Sequence, residues 1–335
     1  MPGICLPLVF PGKARGRRMI ICIAGPTASG KTALAVALAQ ALDAEVISCD
    51  SMQIYKSMDI GTAKPTKEEM ADIPHHMLSV AEPGEDFSVS RYCQLADPIL
   101  QDILRRGKTA IVAGGTGLYM DALIRGNNFA PCPSTGMREK LEQEADQIGM
   151  EAMLERLRDI DPEAAEKLHP ADRKRIIRAL EVYYETGRTI TEHNRLTQAI
   201  PPKYQAIWFG LEDENRQDLY DRIDRRVDTM LEMGLVDEIK SLLAKGISGT
   251  ALQAIGYKEF LSATAGEITI QEAADQVRQA SRRYAKRQLT WFRRNPDMIW
   301  LRRKPGDDTA KILNLALQVL RETDNENIVG CMHTN

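Results

Sequence analysis

Gly25-Pro-Thr-Ala-Ser-Gly-Lys-Thr32 follows the apolar run Met19-Ile-Ile-Cys-Ile-Ala24 and precedes Ala33-Leu-Ala-Val-Ala-Leu-Ala-Gln-Ala-Leu42. That order predicts a strand, a loop and a helix. Gly25, Gly30, Lys31 and Thr32 fill the spacing G-x-x-x-x-G-K-S/T of a phosphate-binding loop. Such a loop wraps a phosphate in backbone N–H groups, and the helix behind it aims its positive end at the same point. Lys31 adds a point charge, and Thr32 offers a hydroxyl to Mg²⁺. The motif implies a diphosphate or triphosphate ligand. It does not say which, or what is done with it.

Further short apolar runs read as strands buried on both faces: Glu45–Cys49, Thr109–Ala113, Gln205–Phe209 and Met298–Leu301. Helical patterns separate them. The fold class is therefore α/β, a P-loop NTPase-like parallel sheet flanked by helices and built with right-handed crossovers. Ligands of such sheets bind outside the carboxyl ends of the strands. The loop at Gly25, Asp50-Ser-Met-Gln-Ile-Tyr55 and Gly114-Gly-Thr-Gly-Leu-Tyr119 all fall at such ends, which favours one shared site.

From about Arg125 to Pro202 strands vanish and charged amphipathic helices take over. Asp161-Pro162 is an N-cap with proline behind it, and Pro170 is expected to open a helix ending at Gly187. Asn127-Asn128, Pro131, Pro133 and Pro201-Pro202 punctuate the edges. The expected organisation is a disordered extension over 1–18, a core over 19–124 and 203–322, an all-helical insertion over 125–202, and a frayed tail over 323–335. In the second half, Asp213 is expected to start a helix closing at Gly234. Leu235–Lys245 forms the next, and Thr269 caps a long one reaching Asn295-Pro296.

A net charge of −3 over 335 residues advertises no global affinity for nucleic acid, so any such surface must be local. The six cysteines are scattered without a C-x-x-C pair, the pattern of a reducing cytoplasm without a disulfide frame. No stretch is long and apolar enough to cross a membrane. A cytoplasmic monomer is expected.

Asp50, at a strand end beside the phosphate loop, suits active-site duty, though a carboxylate there can also simply cap a turn. The Gln53 amide can pair with a base edge, and packing is the plain reading of Met52. Gly114-Gly115-Thr116-Gly117 permits close approach to a ligand, or only makes a turn. The strand before it lacks the acid of a Walker B site, and no Asn-Lys-x-Asp signature appears; both weigh against a GTPase or ATPase. Arg278, Arg282, Arg283, Lys286, Arg287, Arg293 and Arg294 line a helix nearly without acids, which favours contact with an anion such as a nucleic acid. Tyr284 and Trp291, interleaved with them, read as core residues. Arg173, Lys174, Arg175 and Arg178 form a second basic patch in the insertion, balanced by Asp172 and Glu181. Arg222 and Arg226 are equally able to bridge acids on their own helix or to clamp a phosphate. The histidines lack ligand spacing and read as structural.

Together these strings strongly resemble the tRNA dimethylallyltransferase (IPP transferase) family. The resemblance is carried by Gly25–Thr32, Asp50-Ser-Met-Gln-Ile-Tyr-Lys56, Met58-Asp-Ile-Gly-Thr-Ala-Lys-Pro65 and Pro74-His-His76. It continues in Gly114–Tyr119, Arg178-Ala-Leu-Glu-Val182, Ala254-Ile-Gly-Tyr-Lys258 and Arg283-Tyr-Ala-Lys-Arg-Gln-Leu-Thr-Trp-Phe292. It runs from about Met19 to Leu301; Lys56 stands where the family often has Arg. The resemblance implies transfer of a dimethylallyl group from its diphosphate to the exocyclic amine of the adenine just 3′ of the anticodon, with Mg²⁺ as cofactor. It implies that Gly25, Pro26, Thr27, Ala28, Ser29, Gly30, Lys31 and Thr32 hold the diphosphate of a prenyl donor, not ATP. Thr27, Lys31, Asp50 and Arg226 are then catalytic. Asp50, Ser51, Met52 and Gln53 meet the target base. Thr116, Arg138, Lys174, Arg175, Ile176, Ile177, Arg178, Gln253, Ala254, Ile255, Gly256, Tyr257 and Lys258 contact tRNA at its anticodon stem-loop, joined by Arg282 and Lys286 of the basic helix. The rival readings are a small-molecule P-loop kinase, a prenyltransferase acting on free adenylate, and a non-enzymatic tRNA-binding module.

Overall fold

A computed structural model of the chain describes residues 19–126, 135–247 and 249–332, without the side chains of 198 and 324–332. The readings of residues 1–18 and of Asn127, Asn128, Pro131 and Pro133 lie outside these. Strands β1 (Ile20–Ala24), β2 (Ala44–Ser48), β3 (His75–His76), β4 (Thr109–Gly114), β5 (Ile207–Asp213) and β6 (Met298–Arg303) form one all-parallel sheet in the order β3-β2-β4-β1-β5-β6. The helices in chain order are α1 (Lys31–Leu42), α2 (Lys67–Met70), α3 (Val89–Arg105), α4 (Gly117–Arg125), α5 (Met137–Ile148), α6 (Met150–Ile160), α7 (Pro162–Glu166), α8 (Arg173–Thr186) and α9 (Ile190–Ala199). There follow α10 (Arg216–Glu232), α11 (Leu235–Ala244), α12 (Gly249–Leu252), α13 (Leu261–Thr264), α14 (Ile270–Phe292) and α15 (Thr309–Met332).

β1 is central, with Cys22 facing Val112 of β4 on one side and Trp208 of β5 on the other. Covered on both faces, it is apolar throughout. One face of the sheet carries α1 and α15, where Leu34, Leu38, Ile312, Ala316 and Leu320 pack with Ile21, Ile23 and Phe209. The other face is covered by Tyr92, Ala96 and Leu100 of α3, Val227 of α10 and Val277 of α14, packed with Cys22, Ile47 and Val112. The chain leaves β1 towards β2 and β4 and later crosses to β5. The Gly25–Thr32 loop therefore sits where the strand order reverses, at the carboxyl end of β1.

Several boundaries differ from those expected. β5 extends from Ile207 to Asp213 because its second half pairs residue by residue with β6, Asp213 opposite Arg303. That pairing holds Asp213 in the sheet, so the next helix starts at Arg216 with Asn215 as its N-cap, accepting from Gln217 N. α8 begins at Arg173 instead of at Pro170, since His169 and Asp172 first close a turn: His169 N donates to Asp172 Oδ2 at 3.0 Å. The backbone of α15 continues helical to Met332, through the region expected to fray. β3 is a short edge strand with no signal of its own; it is tied down where His76 Nε2 lies 2.9 Å from Glu45 Oε2. Arg106 donates to the same buried carboxylate, and these hydrogen bonds hold the Glu45 pKa down to about 2.

The chain divides into two compact units, one formed by 1–124 with 204–335, the other by 125–203. The second unit is all-helical over its described residues, with a core of Leu141, Met153, Leu157, Ile176, Ile177 and Leu180. Asp161, 4% exposed, caps α7 through Ala164 N at 3.1 Å and also holds Thr191 N at 3.0 Å, so one buried carboxylate ties α7 to α9.

Candidate active site

Gly30 is the N-cap residue of α1, in the left-handed conformation (φ 87°), and no side chain caps that helix end. Glycine is required there twice over: for the positive φ, and because a Cβ would lie 2.7 Å from Arg303 Nη2. The first-turn N–H groups of α1 are left to a ligand, as an anion site needs. Lys31 Nζ reaches back to donate to Pro26 O at 2.7 Å. Burial lowers the Lys31 pKa to about 8; Asp50 opposes that shift and Arg226 adds to it. Lys31, Asp50 and Arg226 are thus electrostatic neighbours.

The three expected strand-end motifs meet. Ser51 N donates to Thr116 Oγ1 at 2.9 Å, and Thr116 N to Cys49 O at 3.1 Å, joining the Asp50 turn to the glycine loop. Gln288 of α14, 5% exposed, joins that loop to the phosphate loop: its Oε1 accepts from Thr27 N at 2.8 Å and its Nε2 donates to Gly115 O at 2.9 Å. Asp50 Oδ1 accepts from Met52 N at 2.9 Å and from Gln53 N at 3.4 Å, so Asp50 does cap a turn. Among the described residues, its Oδ2 has no hydrogen-bond partner. One oxygen orients the carboxylate while the other is left for a ligand.

Arg222 and Arg226, which composition left equivalent, differ in the structure. Arg222 braces the loop, Nε donating to Ala28 O at 2.9 Å and Nη2 to Asp213 Oδ2 at 2.5 Å. Half-buried Arg226 makes no ion pair among the described residues; burial lowers its pKa and Asp50 raises it. Of the two, Arg226 is the one available to a leaving anion.

Several other expected contact residues are engaged within the protein. The Gln53 amide is engaged by protein, accepting from Ser48 Oγ at 3.0 Å and donating to Thr62 O and Ala63 O at 3.3 and 3.1 Å, which leaves one acceptor site on its Oε1 for a ligand. It locks the Asp50 turn to the 58–65 loop. Met52 is half-buried against the core. The side chains of Ile176 and Ile177 are buried in the helical core of their unit, and those of Ala254 and Tyr257 in the main core. Tyr257 Oη donates at 2.7 Å to Glu238, which also accepts from the N–H groups of Asp59, Ile60 and Gly61 at 2.9, 2.8 and 3.1 Å. Arg138 and Arg178 both donate to Glu181 Oε2, at 2.9 and 2.8 Å, so their charge is shared with a buried acid. Arg282 pairs with Asp224 at 2.5 Å and Arg278 with Asp228, both acids of α10, and Arg278 also pairs with Asp275 on its own helix.

The cations that face solvent are therefore fewer than the sequence suggested. Arg283, Lys286 and Arg287 are exposed on α14. Trp291, expected in the core, is 36% exposed and donates to Asp121 at 2.9 Å. Half-buried Tyr284 lies beside Asp50, Thr116 and Gln288, its pKa raised first by burial and then by Asp50. In the helical unit, exposed Lys174 and Arg175 line a groove of about 610 Å³ with Lys167, Arg178, Arg195 and Glu163. Gln253 and Lys258 are exposed, and Ile255 is half-buried.

Gln288, which bridges the two loops, is a site residue that sequence reasoning missed, as it missed Glu238 holding the 59–61 backbone and Arg303 lying against Gly30. Gln288 lay inside a family string, yet a glutamine on a helix carries no signal until its two partners are known. Among the described residues no group of three His, Cys, Asp or Glu side chains could hold a metal ion. A cation here would depend on the ligand's phosphates and the Thr32 hydroxyl, which suits Mg²⁺.

The family model for IPP transferase matches residues 53–295, and that for isopentenyl transferase residues 18–79. A tRNA dimethylallyltransferase from Caldanaerobacter subterraneus is 48% identical over 285 residues, 84% of this chain and 90% of that protein. One from Halalkalibacterium halodurans is 44% identical over 89% of this chain and 96% of its own length. The crystal structure of full-length tRNA isopentenylpyrophosphate transferase from Bacillus halodurans is 40% identical and covers 94% of this chain and 99% of its own, with a TM-score of 0.70. A eukaryotic dimethylallyltransferase solved acting on tRNA is 31% identical, covers 94% of this chain and 80% of its own, and has a TM-score of 0.78. With the phosphate loop, Asp50 and Gln288 gathered at one sheet edge and these likenesses spanning nearly the whole chain, the protein belongs to the IPP transferase family, the prenyl-transferring tRNA dimethylallyltransferases.

Proposed function

We propose that this chain transfers the dimethylallyl group of dimethylallyl diphosphate to the exocyclic amine of the adenine just 3′ of the anticodon in tRNA, as a cytoplasmic monomer. The observation that carries the reading is the meeting of an uncapped phosphate loop, Lys31 and Arg226 with a carboxylate, Asp50, whose outer oxygen is unengaged. The amine nitrogen bonds to the first carbon of the prenyl group as the bond from that carbon to the diphosphate oxygen breaks. The electron pair leaves with the diphosphate, and Asp50 takes the amine proton. An adenine amine is a poor nucleophile, so the chain's main work is to stabilise the departing anion. Lys31, Arg226 and the α1 amides are fixed in place for that. Mg²⁺, held by Thr32 and the diphosphate oxygens, adds positive charge to the same group when bound. The base must leave the anticodon stack to reach Asp50. Support for tRNA contact comes from the basic groove at Lys174 and Arg175, from the exposed face of α14, and from Ser51, Gln253 and Lys258.

The test is label transfer from dimethylallyl diphosphate with tRNA, AMP or ATP as competing acceptors. Label enters tRNA alone if the reading holds. Label in AMP or ATP, or hydroxyl phosphorylation from ATP, overturns it. A second expectation follows from the corrected basic face. Changing Arg283, Lys286 and Arg287 together to Glu weakens tRNA binding and flattens its salt slope by about 2 units, as loss of three phosphate contacts requires. Donor affinity stays unchanged. Arg282→Ala instead lowers the melting temperature with little change in slope, because its charge already serves Asp224. A triple variant with the parental salt slope would remove α14 from the tRNA surface.

A further inference from the structure

We infer that Arg303 is a further diphosphate-binding residue that closes the phosphate loop from the end of β6. The inference rests on the diphosphate reading of the loop given above. Arg303 lies at the carboxyl end of its strand, in register with Asp213, on the sheet edge where ligands of this architecture bind. Its Nη2 would lie 2.7 Å from a Cβ at Gly30, the residue whose following amides form the cradle. Among the described residues only three buried side-chain polar atoms lack a hydrogen-bond partner. Two of them, Ser29 Oγ and Arg303 Nε, belong to this loop and to the residue pressed against it.

The nearby carboxylate is already taken. Arg222 donates to Asp213 Oδ2 at 2.5 Å and to Ala28 O, so two guanidinium groups share one rim of the loop with one acid between them. Arg303 makes no ion pair among the described residues. Burial and the charge of Arg222 both push its pKa down, although Asp213 and Asp307 oppose them. A buried guanidinium N–H without an acceptor, as at Arg303 Nε, is costly, and an anion bound at the loop would complete it. The planar fork of arginine matches phosphate oxygens. Packed on Gly30, it addresses the same diphosphate as Lys31, with no protein acceptor competing for its Nε.

Calorimetric titration of inorganic pyrophosphate with Mg²⁺ into the full chain tests this. Arg303→Gln, which keeps the packing without the charge, is expected to weaken pyrophosphate binding about 10-fold or more, the range for a lost hydrogen bond to a charged group. Arg303→Lys recovers part of the loss, and tRNA affinity is unchanged in both. Wild-type pyrophosphate affinity in Arg303→Gln overturns the inference; if Lys31→Ala weakens binding in the same series, the diphosphate reading of the loop still stands. A parent protein that takes up no pyrophosphate overturns both. Should Arg303→Gln melt early, Arg303→Lys decides: weakened affinity with native melting supports the role, and unchanged affinity overturns it.

Discussion

Lys31→Ala lowers turnover by about 10²-fold or more at saturating tRNA, the range for removal of one fixed electrostatic stabiliser of a developing anion. The side chain is held by Pro26 O at 2.7 Å, so its ammonium is already aimed and needs no reorganisation during the reaction. The same burial that fixes it lowers its pKa to about 8. The charged form therefore prevails below that pH and is lost as pH rises through it. In the free enzyme, kcat/KM for the donor should fall with a one-proton slope above about pH 8, and Lys31→Ala should lack that limb. Arg226→Ala should cost a similar factor while tRNA binding stays intact, since Arg226 makes no ion pair among the described residues and lies in the field of Asp50. A full rate in Arg226→Ala would pass the leaving-group role to Arg303 or to Arg222, the latter against the two hydrogen bonds that it already makes.

How much of this was legible in sequence depended on whether a signal was local. The phosphate loop was legible because its geometry is written in eight consecutive residues, and β1 and β4 because strands covered on both faces are apolar nearly throughout; β2 and β6 were legible from their short apolar runs. β5 was misjudged at its end, since Glu212 and Asp213 look like helix-opening acids. Only the pairing with β6, an edge contact roughly ninety residues away in the chain, keeps them extended. The basic row of α14 was legible as a row, but not the acids that pair with it across the helix boundary, Asp228 and Asp224 of α10. The sequence could not show that both N–H groups of the Gln53 amide are taken by the carbonyls of Thr62 and Ala63. In each case the chemistry of the residue was plain, and what was missing was its partner.

Asp50→Asn is the substitution that decides the mechanism. Asp50 must stay clear of the phosphates to avoid repulsion, yet it lies within the field of Lys31 and Arg226. Hydrogen-bonding the adenine amine satisfies both conditions. The variant isolates the proton transfer. Asparagine retains a carbonyl oxygen, so the bonds from Met52 N and Gln53 N survive and the turn keeps its shape. What changes is the outer atom, which becomes a donor and can no longer accept a proton. General-base assistance contributes about 10²–10⁴-fold, and the single-turnover rate should fall by about that factor. Donor and tRNA dissociation constants should shift little. A metal-ligand role makes the opposite prediction, because a weakened site is refilled by mass action. Single-turnover prenyl transfer by Asp50→Asn is therefore measured across a Mg²⁺ titration. A rate that stays low throughout places the proton on Asp50, whereas recovery at high Mg²⁺ moves Asp50 to the metal and leaves the amine without a protein base.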